Sequence, residues 1–166
     1  MNAIAAGQGR HELTPAAWGE RLADVYREIG DRTMRELPIY HDALTVEAIG
    51  FTAIDGRAIG IIVTPWFMNV MTPADGDVGS AVEIALPAGP FEFTIGDIAG
   101  VGRIASCSLF SPMSEFEDMA AARVAANAAL AALMAPSEET TPTRAEPASR
   151  IDRRAFLRGT LSESRA

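Results

Sequence analysis

The sequence predicts an α+β fold with about five mostly antiparallel strands, flanked by an N-terminal and a C-terminal helix. Three observations support this prediction: a helical apolar spacing after residue 14, short β-type runs with turn signals between residues 44 and 109, and an alanine-rich helical pattern after residue 114. We divide the 166 residues into a loose N-terminal arm (1–13), one domain (14–136) and a disordered linker with an Arg-rich tail (137–166). The hydrophobic content of 48% is enough for one domain with a core.

The first helix is predicted to begin at Thr14-Pro15. Threonine can cap the first turn, and proline suits the first helical position because its missing N–H would be unpaired there in any case. The helix should end near Leu37, before Pro38. Its apolar residues recur at helical spacing: Trp18, Leu22, Val25 and Ile29.

Five strands are predicted in the middle of the chain, over residues 51–54, 58–63, 82–86, 91–95 and 103–109. Asp55-Gly56 between two apolar runs is a strong signal for a two-residue hairpin turn, because both turn positions favour positive φ. A second hairpin is predicted around residues 87–90, and the turn at residues 100–102 should lead into the last strand. Short connections favour antiparallel pairing, and we expect both helices to cover one face of the sheet.

The second helix is predicted from the capping box Ser114-Glu115-Phe116-Glu117, in which serine caps the helix and the second glutamate reaches back. Pro136 lies beyond its end. The following mixture of Ser, Glu, Thr and Pro cannot bury a core, so residues 137–150 are interpreted as a disordered linker. The predicted apolar side of the helix consists of Phe116, Met119, Ala120, Val124, Leu130 and Met134.

The charge distribution indicates which kinds of partner the protein can bind. The net charge is −8, all basic residues are arginines, and residues 1–136 carry −9 while residues 137–166 carry +1. An acidic body repels phosphate backbones, so a nucleic-acid partner is not expected. The acidic excess either keeps the protein in solution or suits an Arg-rich partner segment.

Few residues are available for metal binding or catalysis. The single cysteine, Cys107, and the two histidines, His11 and His41, show no ligand-like spacing, so we expect neither a metal nor a cofactor. Cys107 is interpreted as a small buried residue, because a nucleophilic cysteine needs a base and both histidines are distant in sequence. No apolar run is long enough to span a bilayer and the start lacks signal-peptide features, which predicts a cytoplasmic protein without membrane insertion.

Residues 64–73 form the most unusual segment of the body, because two prolines bracket two aromatic residues and two methionines. Proline cannot donate to a sheet ladder, so the segment is expected to leave the sheet at Pro65. Tryptophan and methionine are adaptable contact residues, which makes this segment a candidate partner-binding site; the alternative is that its side chains close one end of the core. The candidate residues are Trp66, Phe67, Met68 and Met71.

The tail carries the sharpest local motif, Asp152-Arg153-Arg154-Ala155-Phe156-Leu157-Arg158. It resembles the twin-arginine signature S/T-R-R-x-F-L-K of bacterial export signals. The motif is C-terminal and polar residues follow it, so it is not expected to act as an export signal. Either the match arises by chance in a tail whose basic residues are all arginines, or the tail mimics the export signal of a client protein. The candidate mimic residues are Arg153, Arg154, Phe156, Leu157 and Arg158.

Three further motifs occur together: Thr64-Pro65-Trp66, then Phe93-Thr94-Ile95-Gly96, then Ser106-Cys107-Ser108-Leu109 with Ser111-Pro112-Met113. With these motifs the chain resembles the HybE/HupJ family of nickel–iron hydrogenase assembly chaperones. The resemblance covers about residues 15–134 and includes Arg32-Thr33-Met34. Some relatives carry a rubredoxin-like part with paired CxxC motifs, which this chain lacks, so no iron site is implied.

The resemblance implies a non-enzymatic chaperone of hydrogenase maturation that holds the twin-arginine small-subunit precursor, or its complex with the large subunit, until assembly is complete. The large subunit and other maturation proteins are further candidate partners. Two alternatives stay open. In the first, the protein is an enzyme of cofactor insertion that uses Cys107. In the second, it is a structural accessory subunit that remains in the finished hydrogenase.

Overall fold

The computed structural model describes residues 13–136. These contain a six-stranded antiparallel sheet and two α-helices, which confirms the predicted fold class. The sheet order is β1-β2-β3-β6-β5-β4. The helices are α1 (Pro15–Ile29), which continues into a π-helical segment (Gly30–Met34), and α2 (Met119–Met134). The strands are β1 (Glu47–Ile54), β2 (Arg57–Val63), β3 (Met68–Pro73), β4 (Ala81–Leu86), β5 (Gly89–Ile98) and β6 (Gly102–Phe110).

The local signals for α1 and the first hairpin are confirmed. The Thr14 hydroxyl accepts a hydrogen bond from the backbone N–H of Ala17 at 3.0 Å, and Pro15 is the first helical residue. Asp55 and Gly56 form the β1–β2 turn with φ of 52° and 79°, the positive values that the Asp-Gly pair predicts. Helical backbone continues through the π-helical segment and ends at Met34, a few residues earlier than expected.

Strand β3 corrects the expectation that the chain leaves the sheet at Pro65. The chain instead makes a tight turn at residues 64–67, and residues 68–73 return as a strand between β2 and β6. The Thr64 hydroxyl accepts hydrogen bonds from the backbone N–H groups of Trp66 (3.1 Å) and Phe67 (2.9 Å), so the turn is held by a side chain. Pro65 sits inside this turn, where no ladder donor is required.

The two helices lie on opposite faces of the sheet, so the expectation that both cover one face was wrong. Neighbouring residues of β2 show this: Ile61 belongs to the core that contains α2, and Ile62 to the core that contains α1. Successive residues of a strand point to opposite faces. Strand β2 is buried on both sides because residues 59–63 form a continuous apolar run.

Helix α2 begins later than predicted, and its predicted apolar side is confirmed in part: Phe116 is buried and Met119, Leu130 and Met134 pack against the core, whereas Ala120 and Val124 are exposed. Asp118, not Ser114, caps the helix, and its carboxylate accepts from the backbone N–H of Ala121 at 3.0 Å. Val124, expected on the apolar side, is 70% exposed. Small side chains let the helix pack closely on the sheet, and the buried residues are Ala122, Ala126, Ala129 and Leu133.

On the other face, the ring of Phe51 is part of the packing between α1 and the sheet. Phe51 of β1 packs edge-on against Trp18 with 5.7 Å between ring centroids. Two glycines leave space for this ring: a Cβ added at Gly19 or at Gly60 would lie 2.4 or 2.5 Å from atoms of Phe51. The close approach of α1, β1 and β2 therefore requires glycine at both positions.

Candidate functional site

Three segments meet at the end of the sheet where β1 begins and β6 ends. They are the loop of residues 35–46 after the π-helical segment, the turn of residues 64–67, and residues 111–118 between β6 and α2. His41 connects all three. Its backbone N–H donates to the carbonyl of Pro65 at 2.9 Å, and its ring Nε2 lies 2.6 Å from the carbonyl oxygen of Phe116. Because a carbonyl oxygen can only accept, Nε2 carries the proton.

A layer of four aromatic residues supports this end of the sheet. This aromatic layer consists of Tyr26, Tyr40, Trp66 and Phe67. The rings of Tyr40 and Trp66 stack with centroids 6.1 Å apart, and Tyr26 meets Phe67 edge-on at 5.3 Å. Burial raises the pKa of Tyr26 to about 12, because the phenolate would lose its hydration in this layer.

Next to the aromatic layer lies an open groove of about 690 Å³, lined by Pro38, Ile39, Tyr40, His41, Asp42, Ala43, Pro112 and Ser114. We call this the loop groove. Leu37 and Ile39 are each 43% exposed, and they are two of the four large apolar side chains that are well exposed among residues 13–136. These exposed apolar side chains beside a concave surface make the loop groove a candidate protein contact site.

The segments that form the loop groove are acidic, and one of their carboxylates, that of Asp42, lines the groove itself. Residues 35–43 and 111–118 contain five carboxylates against one guanidinium, a formal charge of −4. The guanidinium is that of Arg35, which bonds Asp31 at 2.6 Å and lies 5.6 Å from the ring centroid of Tyr40. The hydrogen bond from Arg35 to Asp31, reinforced by Tyr40, raises the pKa of Arg35. The carboxylates are those of Glu36, Asp42, Glu115, Glu117 and Asp118.

The four residues predicted to bind a partner do not line the loop groove. Trp66 is 7% exposed, and Met68 and Met71 are 0% and 1% exposed. Phe67 is half-buried. The structure thus places three of the four in the core, and their partner-binding role stays a prediction. The predicted signal mimic, Arg153 to Arg158, lies outside the described residues.

Cys107 points from β6 into the apolar core and is 7% exposed. It lies opposite Val70 in the neighbouring strand, and His41 is engaged by the Phe116 carbonyl. Within residues 13–136, no group of three His, Cys, Asp or Glu side chains is placed to hold a metal ion. In the same part of the chain, neither helix is long and apolar enough to cross a membrane.

Sequence reasoning missed the residues that form the groove itself. Ile39, Tyr40 and His41 follow the first helix, whereas Pro112 lies more than 60 residues later, and no periodicity links them. The motif Ser111-Pro112-Met113 gave one usable signal. Its Met113 is fully buried, which anchors the segment so that Pro112 faces the groove.

The fold and this surface define a small α+β sheet domain with an open groove formed by acidic segments. The family model described as [NiFe]-hydrogenase assembly, chaperone, HybE matches residues 17–159, so the chain belongs to the HybE family of [NiFe]-hydrogenase assembly chaperones. The matched span runs past the end of α2 and includes the arginine-rich motif of residues 153–158.

Individual relatives agree with this assignment. The hydrogenase expression/formation protein HupJ of Bradyrhizobium diazoefficiens is 59% identical over 155 residues, covering 90% of this chain and 92% of the relative. HoxT of Azotobacter vinelandii, also described as a hydrogenase expression/formation protein, is 39% identical and covers 86% and 95%. The solution structure of HybE from Escherichia coli shares the fold with a TM-score of 0.59 at 24% identity, over 81% of this chain and 86% of that one.

Proposed function

We propose that the protein is a non-enzymatic chaperone of nickel–iron hydrogenase maturation that acts in the cytoplasm. It binds the twin-arginine small-subunit precursor, alone or together with the large subunit, at the loop groove until assembly is complete. Membership of the family supports a role in hydrogenase maturation. The loop groove supports binding of a partner protein as the mode of action. The buried Trp66 stacks against Tyr40, which lines the groove.

The observation that carries this proposal is the combination of exposed apolar side chains with acidic segments at the loop groove. Leu37 and Ile39 are partly exposed beside the groove, and Asp42 lines it. A twin-arginine segment carries adjacent guanidinium groups followed by apolar side chains, so it offers both complementary chemistries. Charge complementarity mainly supports encounter and specificity, whereas burial of the apolar side chains supplies affinity.

The test compares two single substitutions of the same chemistry. Ile39→Asp places a carboxylate in the groove, and Val124→Asp places one on the exposed side of α2, away from the groove. We expect Ile39→Asp to weaken binding of the small-subunit precursor about tenfold or more, corresponding to about 1.4 kcal/mol, and Val124→Asp to leave it nearly unchanged. Circular dichroism establishes that both variants are folded. Equal affinities of the two variants would remove the groove from the proposal.

A second arm separates chaperone from structural subunit. The protein is captured from hydrogenase-producing cells, and the mass of each captured subunit distinguishes precursor from processed forms. A chaperone should capture the precursor and release the mature enzyme. Capture of mature hydrogenase would instead favour the accessory-subunit alternative.

A further inference from the structure

We infer that the chain's own tail, Arg153 to Arg158, docks in the loop groove of the same molecule and competes with the client there. This inference rests on the proposed function, because it concerns regulation of the same site. The groove lies within residues 13–136, which the structure describes, whereas the tail is known here by its sequence alone.

The first support is chemical complementarity. Residues 153–158 contain three arginines and no acid, and the segments that form the groove carry a formal charge of −4. Phe156 and Leu157 lie between Arg154 and Arg158 in sequence. Their apolar side chains match the exposed apolar side chain of Ile39 in the groove. Guanidinium groups suit carboxylate partners because their planar donors can form two parallel hydrogen bonds.

The second support is that arginines of the body are engaged elsewhere. Arg27, Arg32 and Arg35 pair with Asp24, Glu28 and Asp31 on their own helical segments, at 2.6, 3.5 and 2.6 Å. Arg103 pairs with Asp97, and Arg123 with Glu47. Among the described residues, none of these ion pairs uses Asp42, Glu115 or Glu117, although the charge of Asp42 acts on the guanidinium of Arg35. A guanidinium from outside the described body would therefore find carboxylates in the groove-forming segments that make no salt bridge with residues 13–136.

The third support is reach. Helix α2 begins five residues after Ser114 of the groove, and its 16 residues span about 24 Å at 1.5 Å per residue. The last residue of α2 therefore lies about 24 Å from its first residue, which directly follows the groove segment 111–118. Residues 137–152 connect this point to Arg153, and a random coil of that length has an end-to-end distance of about 22 Å. A tether whose mean length matches the span gives the highest effective concentration, on the order of 1 mM.

The fourth support comes from the family match. The model of the family matches residues 17–159, so its end falls one residue beyond Arg158. The motif therefore lies inside the span that defines the family, together with the groove, and is not an appendage beyond it.

The direct test needs no client. In the full chain, Cys107→Ala removes the single native thiol and Ala155→Cys provides a site for a spin label inside the motif. We expect paramagnetic broadening of the backbone amides of residues 38–43, and none at the Asp55-Gly56 turn at the other end of the sheet. Charge reversal by Arg153→Glu with Arg154→Glu should abolish the broadening. The matched control, Arg144→Glu with Arg150→Glu, makes the same charge change outside the motif and should retain it.

Two outcomes overturn the inference. Broadening that is absent from the groove, or that appears only when spin-labelled protein is mixed with a separately isotope-labelled copy, excludes intramolecular docking. In a second measurement, a twin-arginine peptide should bind the Arg153→Glu/Arg154→Glu chain about tenfold more tightly than the natural chain, if the tail binds with a dissociation constant of about 0.1 mM. Equal peptide affinities, with binding still lost in Ile39→Asp, would refute tail competition and leave the proposed function intact. Absence of peptide binding in every variant would instead count against the proposed function.

Discussion

Replacement of Trp66 by alanine tests whether the aromatic layer is part of the core. Trp66 is 93% buried and contacts three other rings, those of Tyr26, Tyr40 and Phe67. Removing a buried tryptophan costs about 3–5 kcal/mol, because the transfer free energy is lost and a cavity remains. The upper half of this range is expected here, since each lost ring pair adds about 0.5–1.5 kcal/mol.

Urea unfolding followed by circular dichroism measures this loss, and the fluorescence of Trp18 provides an independent probe in the variant. Phe67→Ala is the matched control from the same turn, and its half-buried ring predicts a smaller loss of about 1–2 kcal/mol. A loss below about 1.5 kcal/mol for Trp66→Ala would refute the core assignment and return Trp66 to the surface as a contact residue. If Trp66 is a binding hot spot, the folded Trp66→Ala variant should bind the precursor more weakly by about 2 kcal/mol. Unchanged binding would show that Trp66 belongs to the core alone.

Three further predictions concern other parts of the fold. Cys107→Ala should reduce the unfolding free energy by about 1 kcal/mol and leave hydrogenase maturation intact; loss of maturation in a folded, abundant variant would favour the enzyme alternative. Gly60→Ala should destabilise by several kcal/mol in urea unfolding, because the added methyl would lie 2.8 Å from the backbone Cα of Phe51, while Gly56→Asn, at an open turn, should cost about 1 kcal/mol or less. The pKa of Tyr26 is raised from 10.0 to about 12, so the unfolded chain ionises first: stability should be constant below pH 10 and fall by about 2–3 kcal/mol between pH 10 and 12. Tyr26→Phe should remove this part of the alkaline loss, and an unchanged pH profile would contradict the burial argument.

Local signals predicted local structure well. The Thr14-Pro15 start of α1 and the Asp55-Gly56 turn were correct because each depends on only a few adjacent residues. The missed strand β3 shows the limit of such signals. Pro65 correctly indicated an interruption, but whether the chain then departs or returns depends on the Thr64 hydroxyl, which satisfies the backbone of the turn.

The face that each helix covers could not be predicted from one helix at a time. The continuous apolar run of β2 was compatible with burial on both sides, yet only the alternation of Ile61 and Ile62 between two cores separates the helices. The capping box at Ser114 placed the start of α2 too early, because Asp118, four residues later, caps the helix by accepting a backbone hydrogen bond. The loop groove was missed for a related reason, since its walls come from segments that are distant in sequence and are joined by the hydrogen bonds of His41.

The burial of Trp66 changes how the family motif Thr64-Pro65-Trp66 bears on binding. The Thr64 hydroxyl holds the turn, the Pro65 carbonyl accepts from His41, and Trp66 stacks under Tyr40. Each of the three residues therefore acts on the position of the loop that forms the groove. A substitution in the motif can weaken client binding by displacing that loop, even where the substituted residue does not touch the client. Binding data on this motif consequently need the stability measurement beside them, whereas Ile39 reports on the groove itself.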